Sequence, residues 1–165
     1  QRQMCIRDRA SCSAAKERFA RWIQQQDDAL FRFHYAFLQG SSLSGRVCGG
    51  NIRCTLKLTG TPWQPDPTGR VLFLESYSGS FARMETMLHQ YRQMEMFSRC
   101  SGVLLGNFSE LAEKGQLLEL YQLVQEIVAD STLPIAATTE LGHQPEARCL
   151  AYAGISLEGN GMPQL

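Results

Sequence analysis

The chain has 165 residues, enough for one domain with a sizeable core or for one domain with an appendage. Its 16 basic and 16 acidic residues give a formal net charge of zero, which excludes a protein that binds polyanions through overall charge. The charge balance therefore gives no reason to expect a nucleic acid as partner. No apolar run approaches the roughly 20 residues that cross a bilayer, so we do not expect a membrane as partner either.

The first 44 residues carry weak structural signals. Residues 1–9, QRQMCIRDR, resemble translated sequencing-adapter nucleotides, so we treat them as a non-native artefact and leave them out of the fold. Helical spacing continues from there to residue 38. It is carried by Phe19, Ile23, Leu30, His34, Phe37 and Leu38. The Ser/Gly cluster from Gly40 to Gly45 then indicates a linker.

His34 lies among apolar residues in this segment. A packed, hydrogen-bonded histidine is the favoured interpretation, because no acid or nucleophile lies near it in the sequence to make it catalytic.

The cysteines provide no metal or disulfide signature. No CxxC pair and no histidine at zinc-site spacing accompanies them, so we expect free thiols in a reducing compartment and no metal. The six are Cys5, Cys12, Cys48, Cys54, Cys100 and Cys149.

A short apolar segment, 52–58, follows the glycine pair Gly49-Gly50. Its alternation of apolar and polar side chains is typical of a half-buried strand. Its flanks favour a helix instead, because Asn51 is a good N-cap and Gly60 a good C-terminal stop. We predict a helix.

Residues 71–74 form an uninterrupted apolar run, typical of a strand covered on both faces, and Glu75 ends it. One interpretation of Glu75 is a solvated acid past a strand end. The other is a site residue, because open α/β sheets place functional groups at the carboxyl ends of their strands.

The rest of the chain alternates helical and strand patterns. Helix is predicted over 81–91 and 117–128, and strand over 102–108 and 133–138. His143 follows the last strand. Two strands therefore deliver an acid and a base to what is predicted to be one sheet edge.

Several motifs occur in order along residues 45–157. They are GGN, GTP, PD with a following glycine, LFLE, Arg83 in FARMETML, GVLLGNF and Leu141-Gly142-His143. This series resembles the C-terminal domain of the LD-carboxypeptidase family of serine peptidases, which includes the microcin C immunity proteins. The resemblance implies a swivelling three-layer β/β/α domain over 45–165, a helix at 52–58, and an interdomain connection, partly helical, over 10–44.

The resemblance also implies a catalytic mechanism. Glu75 and His143 would be two members of a Ser-His-Glu triad, with no cofactor. No serine of this chain has the glycine-flanked setting of a nucleophile elbow, so we expect the serine and the oxyanion donors in an N-terminal domain upstream of residue 10.

Substrate identity is less constrained. Arg83 is either a solvated helix charge or a guanidinium that binds a substrate carboxylate, and Asn51 is a second candidate substrate-binding residue. The leading hypothesis is removal of a terminal D-alanine from murein tetrapeptide during peptidoglycan recycling, by a cytoplasmic enzyme that is homodimeric when complete. The alternatives are cleavage of a peptidyl-nucleotide amide, for which Trp63 or Trp22 could stack on the base, and a non-catalytic interaction domain.

The sequence also departs from the family pattern. Ser76 replaces an acid, Thr86 replaces a basic residue, and 151–154 replaces a Leu-Pro-Ile-Gly run. These positions bear on the substrate rather than on the triad.

Overall fold

The structure is a computed structural model that describes residues 13–25 and 28–159. The expected artefact at residues 1–9, together with Cys5 and Cys12, lies outside the described residues. The four cysteines inside them are free thiols.

Helices and strands alternate along the chain. The helices are α1 (Ser13–Gln25), α2 (Ile52–Leu56), α3 (Phe81–Gln93), α4 (Met96–Arg99), α5 (Ser109–Glu113) and α6 (Leu117–Val128), with a 3-10 turn at Asp28–Leu30. The strands are β1 (Ala36–Gln39), β2 (Ser42–Gly45), β3 (Val47–Asn51), β4 (Val71–Ser76), β5 (Gly102–Phe108), β6 (Ile135–Ala137) and β7 (Ile155–Glu158).

Five strands form the main sheet in the order β1-β6-β5-β4-β3. The last four of these are parallel, whereas β1 pairs antiparallel with β6 at one edge. The strands β2 and β7 form a separate antiparallel pair. All four parallel strands therefore end at one edge of the main sheet.

Two apolar cores lie on opposite faces of this sheet, because side chains alternate along each strand. In β4, Leu72 and Leu74 face the helices and pack in one core with Met84 and Leu88 of α3. Their neighbours Val71 and Phe73 face the other way, in the core that also holds residues of β2 and β7. The layers are thus a two-stranded sheet, a five-stranded sheet and helices, the β/β/α order that was predicted.

The family resemblance and the local cap signals together predicted α2 correctly, against its alternating pattern. The Asn51 side chain accepts a hydrogen bond from the Cys54 amide at 3.1 Å, which caps the helix. The helix ends at Leu56, and turns continue to Gly60, whose φ is 75°. The other predicted helices and strands from residue 71 to 138 are also present.

Residues 30–45 differ from the sequence prediction. The helix α1 is present upstream, but the helical spacing that continues to Leu38 was misleading, because residues 36–39 form β1. The expected Ser/Gly linker forms β2 instead, with Leu43 buried. Both strands pair with segments distant in the sequence, which a local pattern cannot indicate.

The prediction for His34 was wrong on packing and right on hydrogen bonding. Its side chain is 72% exposed, and its Nδ1 lies 2.7 Å from Glu140 Oε1. The acid partner comes from far along the chain.

The glycine pair of β3 is required by close packing. Gly49 has φ of 100°, and a Cβ there would lie 2.3 Å from the Phe73 carbonyl oxygen. A side chain at this position would push β3 from β4, and so would move Asn51 from its place beside Glu75.

Candidate active site

Glu75 and His143 meet at the carboxyl edge of the main sheet. Glu75 is the second-to-last residue of β4 and pairs with Asn51 of β3. His143 lies six residues after β6 ends at Ala137. Parallel strands bring both to one edge although 67 residues separate them in the chain.

The two side chains are hydrogen-bonded. His143 Nδ1 lies 2.6 Å from Glu75 Oε2, as the sequence predicted. The Glu75 side chain is 7% exposed and that of His143 is 31% exposed. An ionised Glu75 fixes the proton on Nδ1, so Nε2 is left as the nitrogen that can accept a proton from another group.

Glu75 is held by close packing from β5. A Cβ on Gly106 would lie 2.9 Å from the Glu75 Cβ, 2.8 Å from the Phe73 ring and 2.6 Å from the Leu141 carbonyl oxygen. The missing side chain at Gly106 therefore leaves the space in which the Glu75 stem and the backbone before His143 come together.

The backbone on both sides of His143 is anchored to β5 through Asn107. The Asn107 amide donates to the Leu141 carbonyl at 2.6 Å, and its Nδ2 donates to Gln144 Oε1 at 3.3 Å. Gln144 Nε2 in turn donates to the Thr139 carbonyl. These bonds fix the loop while the imidazole remains partly exposed.

Two tyrosines flank the pair. The Tyr77 ring is 51% exposed, with its centroid 5.5 Å from that of His143 and the planes tilted by 46°. Tyr152 places its hydroxyl 3.4 Å from the Gly49 carbonyl. Partial burial, and then the charge of Glu75, raise the pKa of Tyr152, so this phenol is neutral and lies near the carboxylate.

The other two predicted site residues lie outside the Glu75–His143 pair. Asn51 is beside Glu75 in the strand register, but its side-chain oxygen caps α2. Arg83 is exposed in the first turn of α3 and lines a groove with Arg53 of α2. The structure therefore brings together the acid and the base, and places Arg83 on the adjoining surface.

Within the described residues, no serine hydroxyl hydrogen-bonds to the His143 ring. The same residues contain no group of three or more His, Cys, Asp or Glu side chains that could hold a metal ion. No helix among them is long and apolar enough to cross a membrane.

Sequence reasoning missed the residues that support the pair. Asn107 is a polar residue near the end of an apolar strand, which was the one available signal for it. Tyr77 and Gln144 carried no signal, because their importance depends on contacts with His143 or its loop that only the fold creates.

Known proteins share sequence with this chain. The Microcin C7 self-immunity protein MccF of Escherichia coli is 24% identical over 115 residues, 69% of this chain and 33% of that protein. A Bacillus subtilis protein named "Probable murein peptide carboxypeptidase" is 24% identical over 101 residues, 60% of this chain and 32% of that protein. The chain therefore spans about a third of the length of these curated relatives.

Solved structures share the fold. The muramoyltetrapeptide carboxypeptidase of Oxalobacter formigenes superposes with a TM-score of 0.70 at 21% identity, over 93% of this chain and 54% of that one. MccF in complex with aspartyl sulfamoyl adenosine gives a TM-score of 0.58 at 20% identity, over 81% of this chain and 43% of that one.

A family model also matches more than half of the chain. The model for the LD-carboxypeptidase C-terminal domain covers residues 44–156, which include both Glu75 and His143. The chain belongs to the LD-carboxypeptidase family, as a C-terminal domain of that family.

Proposed function

We propose that this chain supplies the acid and the base of a serine peptidase that removes a terminal D-alanine from murein tetrapeptide. The observation that carries the proposal is the 2.6 Å bond between a buried Glu75 and a partly exposed His143. A buried acid that orients a partly exposed imidazole is the arrangement a triad requires.

The chemistry follows from that arrangement. His143 Nε2 takes the proton of a serine hydroxyl as its oxygen attacks the carbonyl carbon of the peptide bond. The imidazolium, stabilised by Glu75, then gives this proton to the departing amine of D-alanine. Water repeats the cycle on the acyl-enzyme and releases the shortened peptide.

The nucleophile is proposed to come from outside these 165 residues. The lack of a described serine on the His143 ring supports this, as does the chain's one-third span of its curated relatives. In this proposal an N-terminal domain carries the serine and the oxyanion donors and docks over the exposed side of His143. The complete enzyme is proposed to be a cytoplasmic homodimer.

Murein tetrapeptide is the favoured substrate. The muramoyltetrapeptide carboxypeptidase named above shares the fold, and an exopeptidase needs a cation for the terminal carboxylate of its substrate. Arg83 is the proposed cation on this half of the cleft, because it stands on the first turn of the helix that follows the Glu75 strand. Asn51 is the proposed amide contact.

A peptidyl-nucleotide amide is the second candidate substrate. Tyr77 favours it, because a half-exposed aromatic ring beside His143 offers a surface on which a base can stack. Among the described residues, neither tryptophan has a ring contact with His143: Trp22 packs against Phe19 and Phe31, and Trp63 lies in the 57–70 turn region.

The test compares substrates on the complete protein. Murein tetrapeptide and an aminoacyl sulfamoyl adenylate are assayed side by side, with the wild type and Arg83→Ala. We expect a higher kcat/KM for the tetrapeptide and a raised KM in the arginine variant. Preference for the adenylate favours the second candidate, and no turnover of either compound favours a non-catalytic interaction domain.

A further inference from the structure

A groove about 380 Å³ in volume runs between α2 and α3. Its floor is apolar, formed by the half-buried Leu56 and the buried Met87. Its rim is polar and exposed. The rim side chains are Arg53, Lys57, Arg83 and Gln90.

The rim is strongly cationic and not neutralised at close range. Among the described residues, no carboxylate lies within salt-bridge distance of Arg53, Lys57 or Arg83. The hydrogen bonds from Lys114 and from the Gly79 amide are the main causes of the lowered pKa of Glu110, and the charge of Arg83 contributes less to that lowering. Glu110 is therefore already engaged, and three like charges are left facing one groove.

The two helices that line the groove follow β3 and β4, the strands in which Asn51 and Glu75 lie side by side. Arg53 is the second residue of α2, which starts directly after Asn51 at the sheet edge, and Arg83 is the third residue of α3. Lys57 and Gln90 lie further along the same two helices. From Arg83 to Gln90 the helix rises roughly 10 Å, the length of about three residues of extended peptide.

We infer that this groove binds an acidic peptide segment, one with two or more carboxylates in about three residues. Guanidinium groups bind carboxylates through paired hydrogen bonds, and the apolar floor covers the stems of the bound side chains. The inference rests on the proposed function in taking this segment to be part of the substrate. It extends the proposed role of Arg83 from one terminal carboxylate to a longer anionic portion.

Binding can be tested on the 165-residue chain without turnover. The probe is the acetylated and amidated peptide Glu-Glu-Glu, and the neutral control peptide is Gln-Gln-Gln with the same ends. Amide NMR spectra are recorded during titration at low and at high salt. We expect saturable shifts at the groove residues with Glu-Glu-Glu, weakened by salt, and none with Gln-Gln-Gln.

Variants locate the site. Arg53→Gln combined with Lys57→Gln is expected to weaken binding by about tenfold or more, since two charge-assisted contacts are lost. The matched control is Arg92→Gln, an exposed cation of α3 that does not line the groove, and it should bind as the wild type does. None of these three substitutions changes Glu75 or His143.

Three results would overturn the inference: no saturable shift, shifts spread evenly over cationic surfaces, or equal affinity in the double variant and the wild type. These results are separate from failure of the proposed function. If the groove binds the peptide but the complete protein cleaves no tetrapeptide, the groove stands and the proposed substrate does not.

Discussion

The hydrogen bond between Glu75 and His143 depends on the chemistry of the Glu75 side chain and on its burial. The bond needs a carboxylate, because a carboxylate can only accept and so keeps the proton on Nδ1, and because its negative charge stabilises the imidazolium. The 7% exposure of the Glu75 side chain keeps water from competing for that bond.

We therefore expect Glu75→Gln to lower kcat of the complete enzyme by about 10⁴-fold, as loss of the orienting acid does in other triads. Folding should persist, because the amide has the size of the acid. Rates come from tetrapeptide turnover, and imidazole NMR of the 165-residue chain should show a changed tautomer. The control is Glu113→Gln, an exposed acid at the end of α5, with unchanged kcat. A loss under tenfold would leave Glu75 a lesser role.

Gly106 is the second position where one atom matters. In Gly106→Ala the new Cβ would clash with Glu75 and with the Leu141 carbonyl, at 2.9 and 2.6 Å. Overpacking of this kind costs about 1–3 kcal/mol in the free energy of unfolding, measured by urea denaturation. We also expect the Glu75–His143 bond to be lost from the NMR spectrum.

Gly154→Ala is the matched control for that change. Its Cβ would meet only the Gly45 carbonyl oxygen, at the ordinary contact distance of 3.7 Å. The expected change in unfolding free energy is within about 0.5 kcal/mol. Equal stability of the two variants would mean that the backbone around Gly106 adapts freely.

The loop from Thr139 to Cys149 is the element that positions His143, and the N-terminal segment holds it. Glu140 accepts from the His34 ring and lies 3.5 Å from Arg148 Nε. Arg18 of α1 lies 3.6 Å from Glu146, and the Cys149 amide donates to the Leu30 carbonyl. Residues before the matched family domain thus fasten the loop that carries the candidate base.

The contacts that Glu140 makes with His34 and Arg148 depend on pH. Burial opposes the ionisation of Glu140, but the hydrogen bonds from His34 outweigh burial, and with the charge of Arg148 the pKa falls below the ordinary value of 4.5. A depressed carboxyl pKa stabilises the fold above that ordinary value, and the stabilisation is lost as pH falls through the depressed pKa.

We expect Glu140→Gln to destabilise the chain by up to about 1 kcal/mol at neutral pH, a modest figure because His34 is mostly exposed. The difference from the wild type should shrink as the pH falls below 4.5. Amide hydrogen exchange should speed up in residues 139–149. Glu113→Gln again serves as control, and a pH-independent difference would contradict the linkage.

At this level the sequence predicted the elements whose signals are local. Caps at Asn51 outweighed the alternating pattern of α2, and continuous apolar runs identified β4 and β5. The strands β1, β2 and β7 are short and pair with remote segments, so their stability comes from partners that no local window contains.

Over the whole domain, the order and direction of the strands explain why the meeting of Glu75 and His143 could be predicted. The residues that surround this pair could not be predicted in the same way. Parallel strands end at one edge, so two polar strand-end residues could be expected to meet there. Tyr77 and the bond from His34 to Glu140 depend on loop paths, which strand order alone does not determine. The domain limits at residues 10, 45 and 165 stay a prediction.

The last prediction concerns activity of the 165 residues alone. With Glu75 and His143 in place but no described serine on the imidazole, the chain should release no D-alanine from murein tetrapeptide. Oxyanion donors and a nucleophile together supply most of the acceleration in such enzymes, so an acid–base pair without them leaves a rate near that in water. Mass spectrometry of the tetrapeptide measures this, with the complete protein as positive control. Turnover by the chain that vanishes in His143→Ala would contradict the prediction and would place the nucleophile within these residues.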